Sequence, residues 1–558
     1  MNKILRNISL MLAAGALSVA CADYNETNNF SVDPGSGDVV PYSDLGTVKS
    51  YIDRNQYPNM TLGATLKVSE FNKQELAHAA AVTNFDNYAF GTSLMSGSIV
   101  NEKGVMNFLS MMDLLTHVQE IGGEVFGSPI VANANQADSW LAMLTSPIEI
   151  PVEYQDIKTV DFNTMSTGDY DKSLIEKGKA SIVKYNDQNV LQIGTTSDVR
   201  IVAGFDVDPK AKYTVTFWAM PKPNKDVSFT MKFSGNTVPG TETGGKWKIK
   251  AGKWTKVVVE SKSAENVTDG YLTIENGLNG AIYIQKVMAG YTPDNHRPQT
   301  EEEVKDTITY ALTAWCDGLM KYNEGRIKSF DLIDEPLATK EIEAGIYDIK
   351  HSTDDKIFWQ DIFGSENYAT TVSNVAKAAY EKYGGDPAAL KFFIAETGLD
   401  DQKKFESLKY WIKKWEANGA KIDGVNVKLN LIFSEDQTTQ QANEASLKKL
   451  LANLADLATT DGKMVRLSNF DIKFKDAAGA SVSANDITET QRQKLADYYG
   501  YVIKQYMNTI PNEKQAGICK GNMVDTSSDP VGLWSLSSTK DWVRNATYKA
   551  FCDALSGK

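Results

Sequence analysis

From Thr300 to the C terminus, short apolar runs alternate with amphipathic segments, and this alternation limits what the chain can fold into. Thr300-Glu301-Glu302-Glu303 has the form of a capping box. It opens a segment with Val304, Ile308, Leu312, Trp315 and Leu319 at helical spacing. Arg326 to Ile333 reads as a buried strand. A helix through Phe405, Leu408, Ile412 and Trp415 follows, stopped by Asn418-Gly419. A strand over Gly424 to Phe433, a helix around Leu447, Leu450, Leu451 and Leu454, and a strand over Val465 to Ile472 come next. After them are a helix through Leu495 and Tyr499, a strand near Ile518 and a last helix from Trp542 to Leu555. Repeated strand–helix units imply a parallel sheet covered by helices, and their number favours a closed (β/α)8 barrel of the α/β class. The N-terminal part has the same character, with strands over Met60–Leu66 and Glu124–Val131 around a helix over Val105–Ile121.

Between Pro147 and Tyr291 the helical period disappears. Ile201–Ala203, Tyr213–Trp218, Val227–Phe233, Trp254–Val259 and Ala281–Val287 are short β-branched or aromatic runs separated by Gly, Asn and Lys turns. That pattern predicts an antiparallel sandwich. The expected order is therefore a first barrel part over 43–146, an inserted all-β sandwich over 147–291, and the rest of the barrel over 292–558.

The first 21 residues read as an export signal: Lys3 and Arg6 precede an apolar run, Ile8 to Ala20, too short for a permanent span. Leu17-Ser18-Val19-Ala20-Cys21 resembles a bacterial lipobox, which predicts lipidation at Cys21. Residues 22–42 then form a polar tether. The expected location is the outer membrane, at the cell surface, with attachment by a lipid anchor. The chain carries 58 Lys+Arg against 71 Asp+Glu, and this acidic balance argues against nucleic acid as a partner. Four scattered cysteines make neither a disulfide framework nor a zinc site. No phosphate loop, Ser-His-Asp grouping, metal cluster or cofactor motif is present.

One segment points to chemistry. Phe330-Asp331-Leu332-Ile333-Asp334-Glu335 runs apolar and then ends in two carboxylates, which places Glu335 at the C-terminal rim of a barrel strand. Here the chain resembles the family-10 glycoside hydrolases, the retaining endo-β-1,4-xylanases, whose fourth strand ends in Trp-Asp-Val-Val-Asn-Glu. Gly104-Val105-Met106-Asn107-Phe108 with Asp113, Gln136 with Trp140-Leu141, and Asp423-Gly424-Val425 match further family stretches in the same order. The resemblance covers roughly residues 43–146 and 292–555. Bacterial relatives often carry a carbohydrate-binding sandwich after the third strand.

The resemblance implies that Glu335 holds the general acid/base position. The family's seventh-strand Thr-Glu-Leu-Asp reads Ser468-Asn469-Phe470-Asp471, so Asn469 stands where the nucleophile is expected. Retaining hydrolysis needs two carboxyl groups about 5–5.5 Å apart. An amide neither attacks the sugar nor stabilises an oxocarbenium ion as a carboxylate does. The third-strand His-rich segment reads Ser128–Ala134, the sixth-strand Gln-Gly-His reads Lys428-Leu429-Asn430, and a Trp of strand eight is Lys520. Asp334, Gln136, Trp140, Lys428, Asn430, Lys520 and Trp534 are then the candidate sugar contacts in the cleft. Trp247 is the sandwich aromatic expected to be most exposed, with Trp218 and Trp254 as further candidates. The expected function is binding of a xylan-like polysaccharide without retaining hydrolysis, alongside outer-membrane glycan-uptake proteins. The alternatives are an active endo-β-1,4-xylanase using Glu335 with an atypical second carboxylate such as Glu396 or Asp471, and a scaffold that binds no sugar.

Overall fold

A computed structural model describes residues 42–558 except 223–224, 278–279, 294 and 355. The export signal, Cys21 and all but the last residue of the tether lie outside the described residues. The described chain forms two compact units, Pro147–Gln299 and the remainder on either side of it.

The larger unit is a closed eight-stranded parallel barrel. Its strands are β1 (Leu62–Thr65), β2 (Asn87–Ala89), β3 (Glu124–Gly127), β4 (Ser329–Asp334), β5 (Lys391–Glu396), β6 (Gly424–Lys428), β7 (Met464–Ser468) and β8 (Gln515–Lys520). β1 pairs with β8 through Gly63↔Cys519, which closes the ring. The major helices between and after them are α1 (Leu76–Asn84), α2 (Leu109–Glu120), α3 (Glu301–Asn323), α4 (Tyr368–Lys382), α5 (Gln402–Ala417), α6 (Gln437–Thr460), α7 (Glu489–Thr509) and α8 (Ala546–Leu555). The strand–helix rhythm thus produces the (β/α)8 barrel expected from the sequence.

Local chemistry fixes the helix starts. The Thr300 hydroxyl accepts from the Glu303 amide at 3.3 Å, and the Glu303 carboxylate accepts from the Thr300 amide at 2.9 Å, completing a capping box on α3. Such a cap contributes about 1 kcal/mol. Ile308, Leu312, Trp315 and Leu319 then fall on the buried face of α3, where Trp315 donates its indole N–H to the Ile130 carbonyl at 2.9 Å.

Two strands are shorter than the sequence suggests. The apolar run from Gly424 stops at Lys428 and resumes as Leu431–Ser434; the run from Val465 stops at Ser468 and resumes as Ile472–Lys475. The two tails pair with each other in a separate parallel ladder. Asn469 takes φ 49°, a left-handed conformation that no strand can continue through. The strands therefore break at the barrel rim. At the C terminus, Trp542–Arg544 is a strand paired with Trp534–Leu536, and α8 begins only at Ala546, capped by Asn545.

The smaller unit consists of two antiparallel sheets. One contains Asn236–Val238, Val227–Phe233, Asp269–Asn276, Ser197–Asp206 and Ile175–Lys177, with Trp247–Ile249 paired to Val227–Phe233. The other runs Thr255–Ser261, Tyr213–Lys222, Ala281–Tyr291, Gln188–Ile193, Ala180–Tyr185 and Gly168–Asp169, with Gln155–Asp161 paired to Ala281–Tyr291. Alternate residues such as Val215, Phe217, Ile282, Ile284, Phe229 and Ile274 point between the sheets and form one core. His296–Arg297 pairs with Ile148–Glu149, so the unit extends past Tyr291 to Gln299 and its two ends are clasped together.

Candidate functional site at the C-terminal rim of the barrel

Glu335 follows the last residue of β4. Its backbone amide donates to the Ala395 carbonyl of β5 at 2.8 Å, and its φ is 42°. This turn aims the carboxylate at the rim, where barrel active sites lie. The chain after it is tied down by Glu396, which is 1% exposed and accepts from the Leu337 amide at 3.2 Å and the Thr397 amide at 2.9 Å.

Four carboxylates at this rim, Asp334, Glu335, Glu396 and Asp471, pair with lysine. Lys428, at the end of β6, places its ammonium 3.1 Å from Glu335 Oε1 and also pairs with Asp334. Lys350, just past the hairpin of Leu337–Glu343 and Ile346–Ile349, approaches Glu335 Oε2 to 3.8 Å. Lys404 pairs with Glu396 at 2.8 Å. Lys520 is fully buried and pairs with Asp471, which also accepts from the Asn522 amide at 3.1 Å and side chain at 2.6 Å.

The electrostatic outcome follows from these pairs. Burial pushes the Glu335 carboxyl up, but the ammonium groups of Lys428, Lys350 and Lys404 outweigh it and hold the group below its ordinary value. Burial would discharge Lys428, but Asp334 and Glu335 keep its pKa above the usual lysine range. Lys520 goes the other way: complete burial lowers its pKa despite the pull of Asp471. Deeper in the barrel, burial pushes Asp331 up to about 7 against the opposing charge of Arg466. Asn426 donates to both Asp331 oxygens at 3.1 and 2.9 Å, and Arg466 reaches Asn426 at 3.3 Å and Asn87 at 3.4 Å.

The remaining residues singled out from the sequence are placed as follows. Asn469 is exposed at the end of β7, and Asn430 is exposed on the segment after β6. Glu335, Lys428, Asn430 and Asn469 thus stand on the same end of the barrel. Four candidate sugar contacts are instead committed inside the protein. Lys520 is sealed against Asp471 and lies 5.4 Å from the Tyr499 ring centroid. Gln136 is buried, accepts from the Trp359 indole at 2.7 Å and donates to the Ile357 carbonyl at 2.7 Å. Trp140 is buried, and a Cβ at Gly104 would collide with its ring. Trp534 is buried against Tyr548 and Trp542. In the sandwich, Trp247 is half-buried and spends its indole N–H on the Val238 carbonyl at 3.2 Å, so it is not the exposed aromatic expected. Their apolar and hydrogen-bonding capacity was legible in the sequence, but the partners that consume it are distant along the chain. Lys350 and Lys404 carried no sequence signal, since a hairpin and a helix start bring them to the rim.

A cavity of about 410 Å³ adjoins Lys428 and Asn430 and is lined further by Thr397, Asp400, Asn443 and Tyr498. The larger cavity, about 790 Å³, opens at the opposite, N-terminal end of the barrel, where Arg54, Asp86, Glu124 and Lys328 line it. It lies at the other ends of the strands from Glu335. Among the described residues no group of three or more metal-ligating side chains converges, and no helix is long and apolar enough to cross a membrane.

The architecture is a (β/α)8 barrel that carries a carboxylate just past the end of β4. Residues 292–551 match the model of glycosyl hydrolase family 10. Endo-beta-1,4-xylanase Xyn10C of Cellvibrio japonicus is 21% identical over 248 residues, 42% of this chain and 37% of that protein. The match therefore spans little more than a third of that relative. Among solved structures, Penicillium canescens endo-1,4-beta-xylanase XylE superposes with a TM-score of 0.50 at 13% identity, covering 92% of this chain and 98% of that one. A family-10 endoxylanase retrieved from a sugarcane soil metagenome gives 0.50 at 10% identity, covering 92% and 100%. A chain solved in complex with xylotriose gives 0.50 at 11% identity, covering 91% and 99%. At these identities the likeness establishes the fold.

Proposed function

We propose that this protein is an exported, lipid-anchored polysaccharide-binding protein of the outer surface, built on a family-10 barrel that does not carry out retaining hydrolysis. Its ligand is a xylan-like glycan, the polymer class that the relatives' names specify. The export signal with Cys21 supports the location, and outer-membrane glycan-uptake proteins are the partners that such a location supplies.

The observation that carries this reading is the ion pair between Lys428 and Glu335. A general acid must hold a proton near neutral pH, and glycosidases raise the pKa of that carboxyl to achieve it. Here lysines surround the carboxyl and lower it, so Glu335 is an anion at neutral pH. Asn469, at the family's nucleophile position, carries no charge. The carboxylates that could replace it are already occupied: Glu396 by Lys404 and two backbone amides, Asp471 by Lys520 and Asn522. An arrangement of this kind still offers donors and acceptors to sugar hydroxyls, but it lacks the acid and the nucleophile.

The test incubates the full chain with soluble xylans and scores new reducing ends together with retardation in xylan-containing native gels. Retardation without cleavage is expected. Cleavage by the wild type that is lost in Glu335→Gln would overturn the reading in favour of an active xylanase.

A further inference from the structure

We infer that the glycan is held by the solvent-facing side of the sandwich's second sheet, on a platform formed by Tyr185 and Trp254 over the buried Tyr283; this deepens the polysaccharide-binding reading and rests on it. Side chains on a strand normally stand up from the sheet. Tyr185 does not. It ends the strand Ala180–Tyr185, three strands away from Tyr213–Lys222 in the sheet order. At about 4.8 Å per strand that is a backbone separation of roughly 14 Å. Its hydroxyl nevertheless lies 3.9 Å from the Met220 sulfur. The side chain therefore extends along the sheet and its ring packs on Tyr283, with centroids 5.0 Å apart and planes tilted by 40°, while the Trp254 ring meets it at 6.3 Å with an interplanar angle of 79°.

With Val183, Val190 and Met220 these rings form a second apolar cluster, separate from the core between the sheets. Tyr185 and Trp254 are half-buried above it, like Trp247, and keep part of their rings in solvent. The turn Asn186-Asp187, with φ of 44° and 64°, folds the chain back directly after Tyr185, and Tyr185 faces Gln188 across the hairpin.

The polar groups around the platform are amides and ammoniums. Lys222 donates to Gln192 at 2.8 Å and lies 5.3 Å from the Tyr283 ring centroid. Gln285 donates to Gln188 at 2.6 Å. Trp218 lies on the same face of the strand as Met220 and Lys222, with the Lys256 ammonium 5.9 Å from its ring. The solvent-facing parts of the Tyr185 and Trp254 rings supply an apolar surface for the C–H face of a pyranose, and amide donors and acceptors beside them match neutral hydroxyls. The patch draws on neighbouring strands in succession, which suits an extended chain of several sugar units over a single one.

The experiment uses the full chain in native gels containing soluble neutral xylan, with size-exclusion chromatography and a thermal melt on every variant. Tyr185→Ala combined with Trp254→Ala should weaken retardation at least tenfold, while Tyr185→Phe, which keeps the ring, should retain it. Tyr310→Ala removes an exposed aromatic of α3, 64% accessible, and should migrate as wild type. If wild type is retarded and the Tyr185/Trp254 double variant, folded by its melt, is retarded equally, the platform is not the site although the polysaccharide-binding reading stands. Wild type without retardation overturns that reading and the platform with it. A wild-type dimer that dissociates in the double variant, with xylan retardation unaltered, would make this face a contact between copies of the chain.

Discussion

The Lys428 ammonium sits 3.1 Å from one Glu335 oxygen and also pairs with Asp334, so one cation from β6 bridges both carboxylates at the end of β4. The charge that pairs with two neighbouring anions holds the Glu335 carboxyl below its ordinary value, opposite in direction to the rise a general acid needs.

Lys428→Met should therefore destabilise the fold. It leaves Asp334 and Glu335 adjacent with only Lys350, 3.8 Å from Glu335, as a paired cation, and for groups still partly exposed a loss of about 1–3 kcal/mol is expected, below the cost of breaking a fully buried pair. The sign with pH is fixed by Glu335: its folded pKa is depressed, so the stabilisation exists above its unfolded value and vanishes as pH falls through the folded one. Urea unfolding at pH 7 and pH 3 should show a large deficit at the first and a small one at the second. Equal deficits would contradict the account.

Asn469→Glu should not create a xylanase. The new carboxyl would supply an anion at the end of β7, but Glu335 would still be held ionised by Lys428 and Lys350. Reducing-end release from xylan should stay at the level of the parent protein over days. Robust turnover from this single change would mean that Glu335 is protonated often enough to act.

The buried pair at β8 should respond asymmetrically. Asp471→Ala strands a fully buried ammonium at Lys520, a change that costs on the order of 3–5 kcal/mol. Lys520→Met leaves Asp471 with the two Asn522 donors and partial exposure, and should cost clearly less. Chemical denaturation of the two variants side by side decides this; the reverse order would refute the assignment of Lys520 as a structural cation.

Asp331 gives a pH dependence of opposite sign to Glu335. Its folded pKa of about 7 lies above its ordinary value of 3.8, so between those limits the folded state keeps a proton that the unfolded chain has released. This contribution to stability is complete below about pH 4 and falls as pH rises to 7, with a slope of at most about 1.4 kcal/mol per pH unit. Asp331→Asn removes the dependence. The Tm of the variant relative to wild type should rise from pH 4 to about pH 7 and level off above it, and a constant difference would exclude the mechanism.

Much of the barrel was legible because strand and helix periods are local. The α3 capping box, its apolar stripe and the apolar approach to Glu335 are fixed by residues within a turn or two of each other. The breaks after Lys428 and Ser468 were not visible, since the apolar runs continue through them and only the pairing of their tails ends the barrel strands. The order of short apolar runs and caps determined a (β/α)8 barrel with an all-β insertion and put Glu335 at a strand end. Whether Trp140, Trp534 and Lys520 meet solvent was decided by tertiary structure, because their partners Gly104, Tyr548 and Asp471 are brought against them only when the barrel closes. The direction of the Glu335 pKa was decided the same way: it depends on the cations within a few ångströms, and Lys428 and Lys350 reach it only through the strand order and the hairpin after β4.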